Sequence, residues 1–104
     1  MIEHVKDDNF AEVVEASKEL VIVDFWASWC GPCKMLSPLL EEVAGEITNV
    51  KFVKINVDEN PSSAAKFRVG SIPSLLAFKN GKVVDTLIGF KPKAELKNFA
   101  QRNI

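Results

Sequence analysis

The feature that most constrains the fold is the run LVIVDFWA at residues 20–27, which is almost entirely apolar. It is also rich in β-branched residues, as expected of a central strand that is buried on both faces. A strand of this kind needs helices packed against both sides of its sheet. We therefore expect an α/β protein with this strand near the centre of the sheet.

Helices and strands are predicted to alternate along the rest of the chain. Four helices are predicted. The first has Asp7, Asp8 or Asn9 as its N-cap, and the second begins at residue 30. The third follows an N-cap at Asn60, and the fourth begins at Pro92. A second central strand is predicted at 50–58, and two further strands within 74–89 form a hairpin that turns at Asn80-Gly81. This order predicts a central mixed sheet flanked by helices on both faces, in a single domain of residues 1–104.

Charge and hydropathy narrow the classes of partner. Thirteen basic and fourteen acidic residues leave a formal charge of −1, and no basic cluster occurs, so neither nucleic acid nor an anionic membrane is an expected partner. No apolar run reaches the ~18–20 residues that span a bilayer. The first ten residues resemble neither a signal peptide nor a transit peptide. We expect a cytoplasmic protein.

Both cysteines, Cys30 and Cys33, lie in the segment FWASWCGPCKML at 25–36. No metal site is expected, because zinc needs four ligands and the chain adds only His4, which we expect on the surface. Haem attachment needs a histidine where Lys34 stands. A disulfide that closes so short a loop restrains the unfolded chain little, and two inert core cysteines could also occur at this spacing.

A redox-active pair explains more of this segment. If a helix begins at Cys30, Cys33 lies one turn further on the same face and points back towards it. The Cβ atoms would be about 5–6 Å apart, so the first turn must adjust slightly to close a disulfide. The helix N-terminus would stabilise a thiolate on Cys30, which we expect to be exposed, with Cys33 further inside. Pro32 fits the first turn, and Gly31 permits a close backbone approach.

The segment WASWCGPCK at 26–34 resembles the active-site segment of the thioredoxin family, and the likeness covers essentially the whole chain. The resemblance implies the thioredoxin fold. By this resemblance, Asp24 stands at the family's buried acid, Pro38 at its helix kink and Lys54 at its partly buried lysine. Ile72-Pro73 matches the family's cis proline after isoleucine, and Gly81 and Gly89 match two of its glycines.

The residues alone leave three of these positions open. Asp24 fits an edge position or a hydrogen-bonded core acid equally well, and a strand lysine such as Lys54 usually faces solvent. Pro73 would be trans, since only about 5–6% of such bonds in folded proteins are cis. The resemblance instead predicts a cis bond before Pro73, and it favours a buried Asp24 beside Lys54. We expect burial to raise the pKa of the Asp24 carboxyl group more than Lys54 lowers it.

The resemblance implies that the chain reduces protein disulfides. Cys30 would attack the substrate, and Cys33 would resolve the mixed disulfide after losing its proton with help from Asp24. No cofactor beyond the Cys30–Cys33 disulfide is expected. The implied partners are disulfide-containing proteins and a thioredoxin reductase, and we expect a monomer. Substrate contacts are expected at Trp29, Gly31, Pro32, Ile72, Pro73 and Gly89, whereas Trp26 is expected in the core.

Three departures from the family pattern, Gly70, Ser74 and Phe90, would lie near the substrate groove and affect partner preference. Two other functions remain open. One is a disulfide donor, although the strong oxidants of this superfamily carry a histidine between the cysteines, where this chain has Gly31-Pro32. The other is a binding module whose cysteines are incidental.

Overall fold

A five-stranded sheet forms the centre of the molecule, and the computed structural model describes it within residues 2–104. The strands are β1 (Glu3–His4), β2 (Val21–Trp26), β3 (Lys51–Asn56), β4 (Ser74–Lys79) and β5 (Lys82–Ile88), in the order β1-β3-β2-β4-β5. Strand β3 runs parallel to β1 and β2, whereas β4 is antiparallel to β2 and β5. The predicted mixed sheet is confirmed, with the 20–27 run at its centre.

Helices cover both faces of this sheet, as predicted. The helical elements are a π-helical segment (Ala11–Glu15) and the α-helices α1 (Gly31–Glu46), α2 (Pro61–Lys66) and α3 (Lys93–Gln101). Helices α1 and α3 bury one apolar cluster that includes Leu36, Leu40 and Phe99. The π-helical segment and the region of α2 contribute to a second cluster, which contains Val14 and is packed by Phe67.

Alternation along β2 assigns Asp24 to one of these faces. Val23 and Phe25 belong to the cluster beside the π-helical segment, and Ile22 belongs to the cluster beneath α1. Because side chains alternate along a strand, Asp24 points to the same face as Ile22. The carboxyl group therefore lies on the side of the sheet that α1 covers.

The N-terminal region differs from prediction in two respects. Glu3–His4 forms an edge strand beside β3. This two-residue strand is too short to show a periodic pattern in the sequence. The expected side-chain cap at residues 7–9 is wrong, because the π-helical segment follows Phe10 without any side-chain cap. Asn9 instead accepts a hydrogen bond from the N–H of Lys6 at 2.7 Å.

Asp7 caps α2, a helix more than fifty residues further along the chain. Its carboxylate accepts hydrogen bonds from the N–H groups of Ser62 at 3.1 Å and Ser63 at 2.8 Å. Asn60 makes no side-chain cap bond, so its predicted capping role is wrong, although α2 begins at Pro61 as expected. The Asn60 Oδ1 accepts the N–H of Asp7 at 2.8 Å. The two segments therefore satisfy each other's backbone groups.

The predicted hairpin turn joins β4 and β5. Asn80 and Gly81 have φ angles of 53° and 79°, the left-handed conformation that a tight hairpin turn requires. A Cβ atom at Gly81 would lie 2.9 Å from the carbonyl oxygen of Glu15. The turn therefore packs closely against the end of the π-helical segment.

Candidate active site

The cysteine pair lies where β2 leads into α1. Cys30 is the N-cap of α1 in an extended conformation, and Cys33 lies in the first turn. The two residues form a disulfide, with their Cα atoms 5.3 Å apart. The N–H of Cys33 donates to the Sγ of Cys30 at 3.2 Å. Cys30 thus precedes the helix instead of beginning it, and its extended backbone supplies the adjustment that the spacing required.

Both cysteines are buried in this oxidised form. Cys30 is 4% exposed and Cys33 is 3% exposed, so the expectation of an exposed Cys30 is wrong here. The two cysteines form a small cluster with Ala27, and Trp26 and Ile72 pack against it. By contrast, Gly31 and Pro32 lie on the surface. The pair is therefore reached past the Gly31-Pro32 turn and the Ile72 segment.

The loop before β4 lies against the cysteine pair. The Ile72–Pro73 peptide bond is cis, as predicted. The carbonyl oxygen of Ile72 is 3.9 Å from the Sγ of Cys30. Gly89, with a φ of 90°, donates its N–H to the carbonyl oxygen of Pro73 at 2.8 Å. The structure therefore brings Ile72, Pro73 and Gly89 together beside Cys30.

Trp29 projects from the loop just before Cys30 and is 68% exposed. Its indole N–H donates to the carboxylate of Asp58 at 2.7 Å. The sequence interpretation did not single out Asp58. The position of Asp58 just after β3 could have indicated this contact. Because β2 and β3 are parallel, their carboxyl ends meet at one edge of the sheet, so residues that follow β3 lie near those that follow β2.

Asp24 is buried behind Cys33 and is only 2% exposed. It lines a small cavity of about 110 Å³ together with Cys33, Lys54 and Trp26, whereas Cys30 does not line it. Burial raises the pKa of Asp24 from 3.8 to about 7, and the positive charge of Lys54 opposes this rise. Within residues 2–104, the Oδ1 of Asp24 and the indole nitrogen of Trp26 are buried without a hydrogen-bond partner.

Lys54 lies opposite Asp24 in the register of β2 and β3. It is half-buried, and its Nζ donates to the Oγ of Ser37 at 3.2 Å and lies 4.9 Å from the centre of the Trp26 ring. The Trp26 side chain is itself only partly buried, so it borders the core instead of filling it. Lys54 lines the same cavity as Asp24 and Cys33 and brings a positive charge to it.

His4 is exposed, as expected, and its ring makes a T-shaped contact with the Trp26 ring at a centroid distance of 6.0 Å. Across residues 2–104, no three His, Cys, Asp or Glu side chains are grouped so that they could hold a metal ion. None of the helices in that range has both the length and the apolar character to cross a bilayer.

Comparison with known proteins gives one family. Residues 1–102 match the family model described as thioredoxin. A thioredoxin from Staphylococcus haemolyticus is 50% identical over 101 residues, which are 96% of this chain and 95% of the relative. A thioredoxin from Haemophilus influenzae is 50% identical over 102 residues, 97% of this chain and 95% of the relative. With a disulfide at the Cys-x-x-Cys turn and the thioredoxin fold, the chain belongs to the thioredoxin family of dithiol–disulfide oxidoreductases.

Proposed function

We propose that Cys30 is the attacking thiol and Cys33 the resolving thiol in the reduction of protein disulfides. The observation that carries this assignment is the different surroundings of the two sulfurs. Cys30 contacts the Ile72 segment at the surface side, whereas Cys33 lines the cavity that contains Asp24. A substrate can approach the first cysteine, and a proton acceptor lies beside the second.

The proposed reaction has two exchange steps. The Cys30 thiolate attacks one sulfur of a substrate disulfide, forming a mixed disulfide and releasing the other substrate sulfur as a thiolate. Cys33 then gives up its proton and attacks the Sγ of Cys30, so that the remaining substrate sulfur leaves as the second thiolate. Two electrons pass to the substrate, and the Cys30–Cys33 disulfide forms. The helix N-terminus stabilises the Cys30 thiolate before the first step.

Asp24 is proposed to accept and return the proton of Cys33. A pKa of about 7 allows this carboxyl group to exchange a proton near neutral pH. Lys54 is proposed to limit that rise, because a positive charge at this cavity favours the ionised carboxylate. Its bond to Ser37 keeps the ammonium group at the cavity.

The substrate is proposed to bind across the surface around Cys30. Trp29, Gly31, Pro32, Ile72, Pro73 and Gly89 are the proposed contacts. An extended substrate segment would pair with the Ile72 backbone in the manner of an added strand. Gly70 and Ser74 line a neighbouring groove of about 280 Å³, and Phe90, 38% exposed, follows Gly89. These three residues are proposed to adjust which partners bind.

We also propose the cellular context: a monomer of one domain, residues 1–104, in the cytoplasm. Disulfide-containing proteins would be its substrates and a thioredoxin reductase its electron source, without nucleic acid or membrane partners and without a bound cofactor. The chain's two cysteines form one redox pair, which is the usual role of a disulfide in a reducing compartment. Membership of the family supports a reductase partner in general.

A coupled assay tests the overall function. The protein is mixed with a disulfide-bonded protein, NADPH and a bacterial thioredoxin reductase, and both NADPH oxidation and new thiols are measured. We expect turnover that requires the chain and the reductase together. Preferential oxidation of a reduced substrate would instead indicate a disulfide donor, and full biological activity of a double Cys30→Ser, Cys33→Ser variant would indicate a binding module.

A trapping experiment tests the roles of the two thiols. Cys33→Ser should accumulate a stable mixed disulfide with substrate, because no thiol remains to resolve it. The matched variant Cys30→Ser should capture nothing. Mapping the first site of alkylation in the reduced protein should give Cys30. Normal turnover by Cys33→Ser, or equal alkylation of both thiols, would refute the assignment.

A further inference from the structure

A groove of about 280 Å³ begins where the Ile72–Pro73 segment ends. One wall is the segment 67–71, which leads directly into Ile72, and the other is formed by β4 and β5 with Leu76 and Ile88 among its side chains. The groove thus continues the surface beside Cys30, whose Sγ is 3.9 Å from the Ile72 carbonyl oxygen. The lining residues 67–71 and Ser74 flank Ile72 and Pro73 along the chain, so a substrate segment that ran from Cys30 along Ile72 would reach this groove.

Arg68 is the one charged residue that lines the groove. It is exposed, and its guanidinium has no hydrogen bond, ion pair or ring contact with any of residues 2–104. Nearby Lys66 differs, because it pairs with Glu15 at 3.2 Å. The groove therefore carries a positive charge that the protein itself does not neutralise.

The backbone of Arg68 is also unusual, with a φ of 55° in the left-handed region. A residue with a side chain is disfavoured there by roughly 1–2 kcal/mol relative to the right-handed conformation, and glycine carries no such penalty. This conformation ends α2, because the N–H groups of Arg68 and Val69 donate to the carbonyl oxygens of Ala65 and Ala64 at 3.2 and 2.9 Å. The chain thus keeps a long cationic side chain at a position where glycine would be favoured.

We propose that Arg68 is a specificity-determining residue that selects substrates with an acidic side chain near the reacting cysteine. The inference rests on the proposed function, because it needs a substrate segment bound along Ile72. Arg68 stands four residues before Ile72, so the two Cα atoms are at most about 14 Å apart. The selected position therefore lies within about four residues of the substrate cysteine, because a bound extended segment rises about 3.3 Å per residue.

The occupant follows from the chemistry of the walls. Leu76, Val83 and Ile88 give apolar contact along the groove, and Arg68 supplies a forked cation that pairs with a carboxylate. An Asp or Glu in the substrate is therefore attracted, and a Lys or Arg at the same position is repelled. This preference affects the choice of substrate and leaves the chemistry at Cys30 unchanged.

The test compares disulfide-bonded peptides that differ at one position and carry Glu, Gln or Lys two to four residues to either side of the cysteine. Second-order rate constants for their reduction are measured with the wild type, Arg68→Gln, Arg68→Lys and Arg68→Glu. We expect the wild type to prefer Glu over Gln at one of these positions by about two- to five-fold. The preference should vanish in Arg68→Gln, persist in Arg68→Lys and turn towards Lys in Arg68→Glu. Added salt should weaken it.

Lys18→Gln is the matched control. It changes the net charge equally, but it precedes β2 at the end of the sheet opposite the cysteines. The proposal is overturned if Lys18→Gln abolishes the preference as Arg68→Gln does, or if the wild type reduces all peptides equally. Failure of the wild type to reduce any peptide would instead refute the proposed function, so the two failures are distinguishable.

Discussion

Asp24 holds an ionisable group in surroundings that favour its neutral form. Burial raises its pKa from 3.8 to about 7 although Lys54 opposes the shift. The folded state therefore loses stability as the pH rises above the unfolded pKa, and the loss grows until the folded pKa is passed. A shift of this size corresponds to about 4 kcal/mol. We expect Asp24→Asn to raise the free energy of unfolding by up to that amount at about pH 8 and little at about pH 4.

Denaturant unfolding of both proteins at the two pH values measures this effect. Asp8→Asn is a suitable control, because Asp8 is exposed. An Asp24→Asn protein that is less stable than the wild type at about pH 8 would contradict the expectation. The same variant should reduce substrates more slowly, since the proposed acceptor for the Cys33 proton is gone. An unchanged rate would make Asp24 a structural residue only.

Helix α2 depends for its N-terminal cap on a residue outside its own segment. Although burial raises the pKa of Asp7, hydrogen bonds from Ser63 and Ser62 bring it below 3.8. Because the folded pKa is lowered, this stabilisation is present above the unfolded pKa and disappears as the pH falls through the folded pKa. We expect Asp7→Ala to lower the free energy of unfolding by about 1 kcal/mol at neutral pH.

Urea melts of Asp7→Ala and Asp8→Ala provide the comparison. Asp8 is exposed and adjacent, so its replacement removes a similar charge without removing the cap. The difference between wild type and Asp7→Ala should shrink as the pH falls below 3.8, the ordinary pKa of an aspartate, and through the lowered pKa of the folded state. If both variants lose the same stability, the effect comes from charge and not from capping.

The β4–β5 turn limits substitution at Gly81. A side chain there would need an unfavourable φ of 79° and would place its Cβ 2.9 Å from the Glu15 carbonyl oxygen. We expect Gly81→Ala to lower the free energy of unfolding by about 1–3 kcal/mol. Gly45→Ala is the matched control, because Gly45 is an exposed residue of α1 with no atom within 4 Å of an added Cβ. It should stabilise the protein by about 0.5–1 kcal/mol. Thermal melts that rank the two variants in the reverse order would contradict both expectations.

At the scale of elements, the sequence predicted what depends on local patterns. The 20–27 run and the Asn80-Gly81 turn each carry their own signal, and each is confirmed. The cap from Asp7 to α2 was not predictable, because it joins segments 55 residues apart. The burial of Cys30 was missed for a similar reason, since the covering Ile72 belongs to another element.

The candidate active site shows the same division between local patterns, which could be predicted, and contacts between distant segments, which could not. The pairing of Cys30 with Cys33 follows from the Cys-x-x-Cys spacing, but the neighbours that affect the two cysteines come from other strands. Asp24 and Lys54 face each other only because β2 and β3 pair in one register. Without that register, a lysine in a strand is expected to face solvent, and only the family resemblance placed it beside Asp24.

The whole molecule has two apolar clusters on opposite faces of one sheet. Leu40 belongs to the cluster beneath α1, and Ile55 belongs to the cluster on the other face. We expect Leu40→Ala to lower the free energy of unfolding by about 2–5 kcal/mol and Ile55→Val by about 0.5–1.5 kcal/mol. Because the two side chains lie in different clusters, the double variant should equal their sum within about 0.5 kcal/mol.

Guanidinium unfolding, followed by fluorescence and by far-UV circular dichroism, tests this additivity. The two signals should give one coincident transition, because both clusters rest on the same strands. A coupling well above about 0.5 kcal/mol would mean that the sheet transmits packing changes from one face to the other. Separate transitions would mean that the two faces unfold independently.

The reacting disulfide lies within a single turn at the start of a sixteen-residue helix. Cys30 is the N-cap, and its carbonyl oxygen accepts the first hydrogen bond of the helix, from the N–H of Lys34 at 3.2 Å. Neither cysteine belongs to a strand, so opening the disulfide removes no backbone hydrogen bond between strands. The N–H of Cys33 already points at the Cys30 sulfur, ready to solvate the negative charge that reduction creates. A carrier built this way exchanges two electrons with little reorganisation of its frame. It therefore presents almost the same surface to a reductase that reduces its disulfide and to the disulfide-containing proteins that oxidise its thiols.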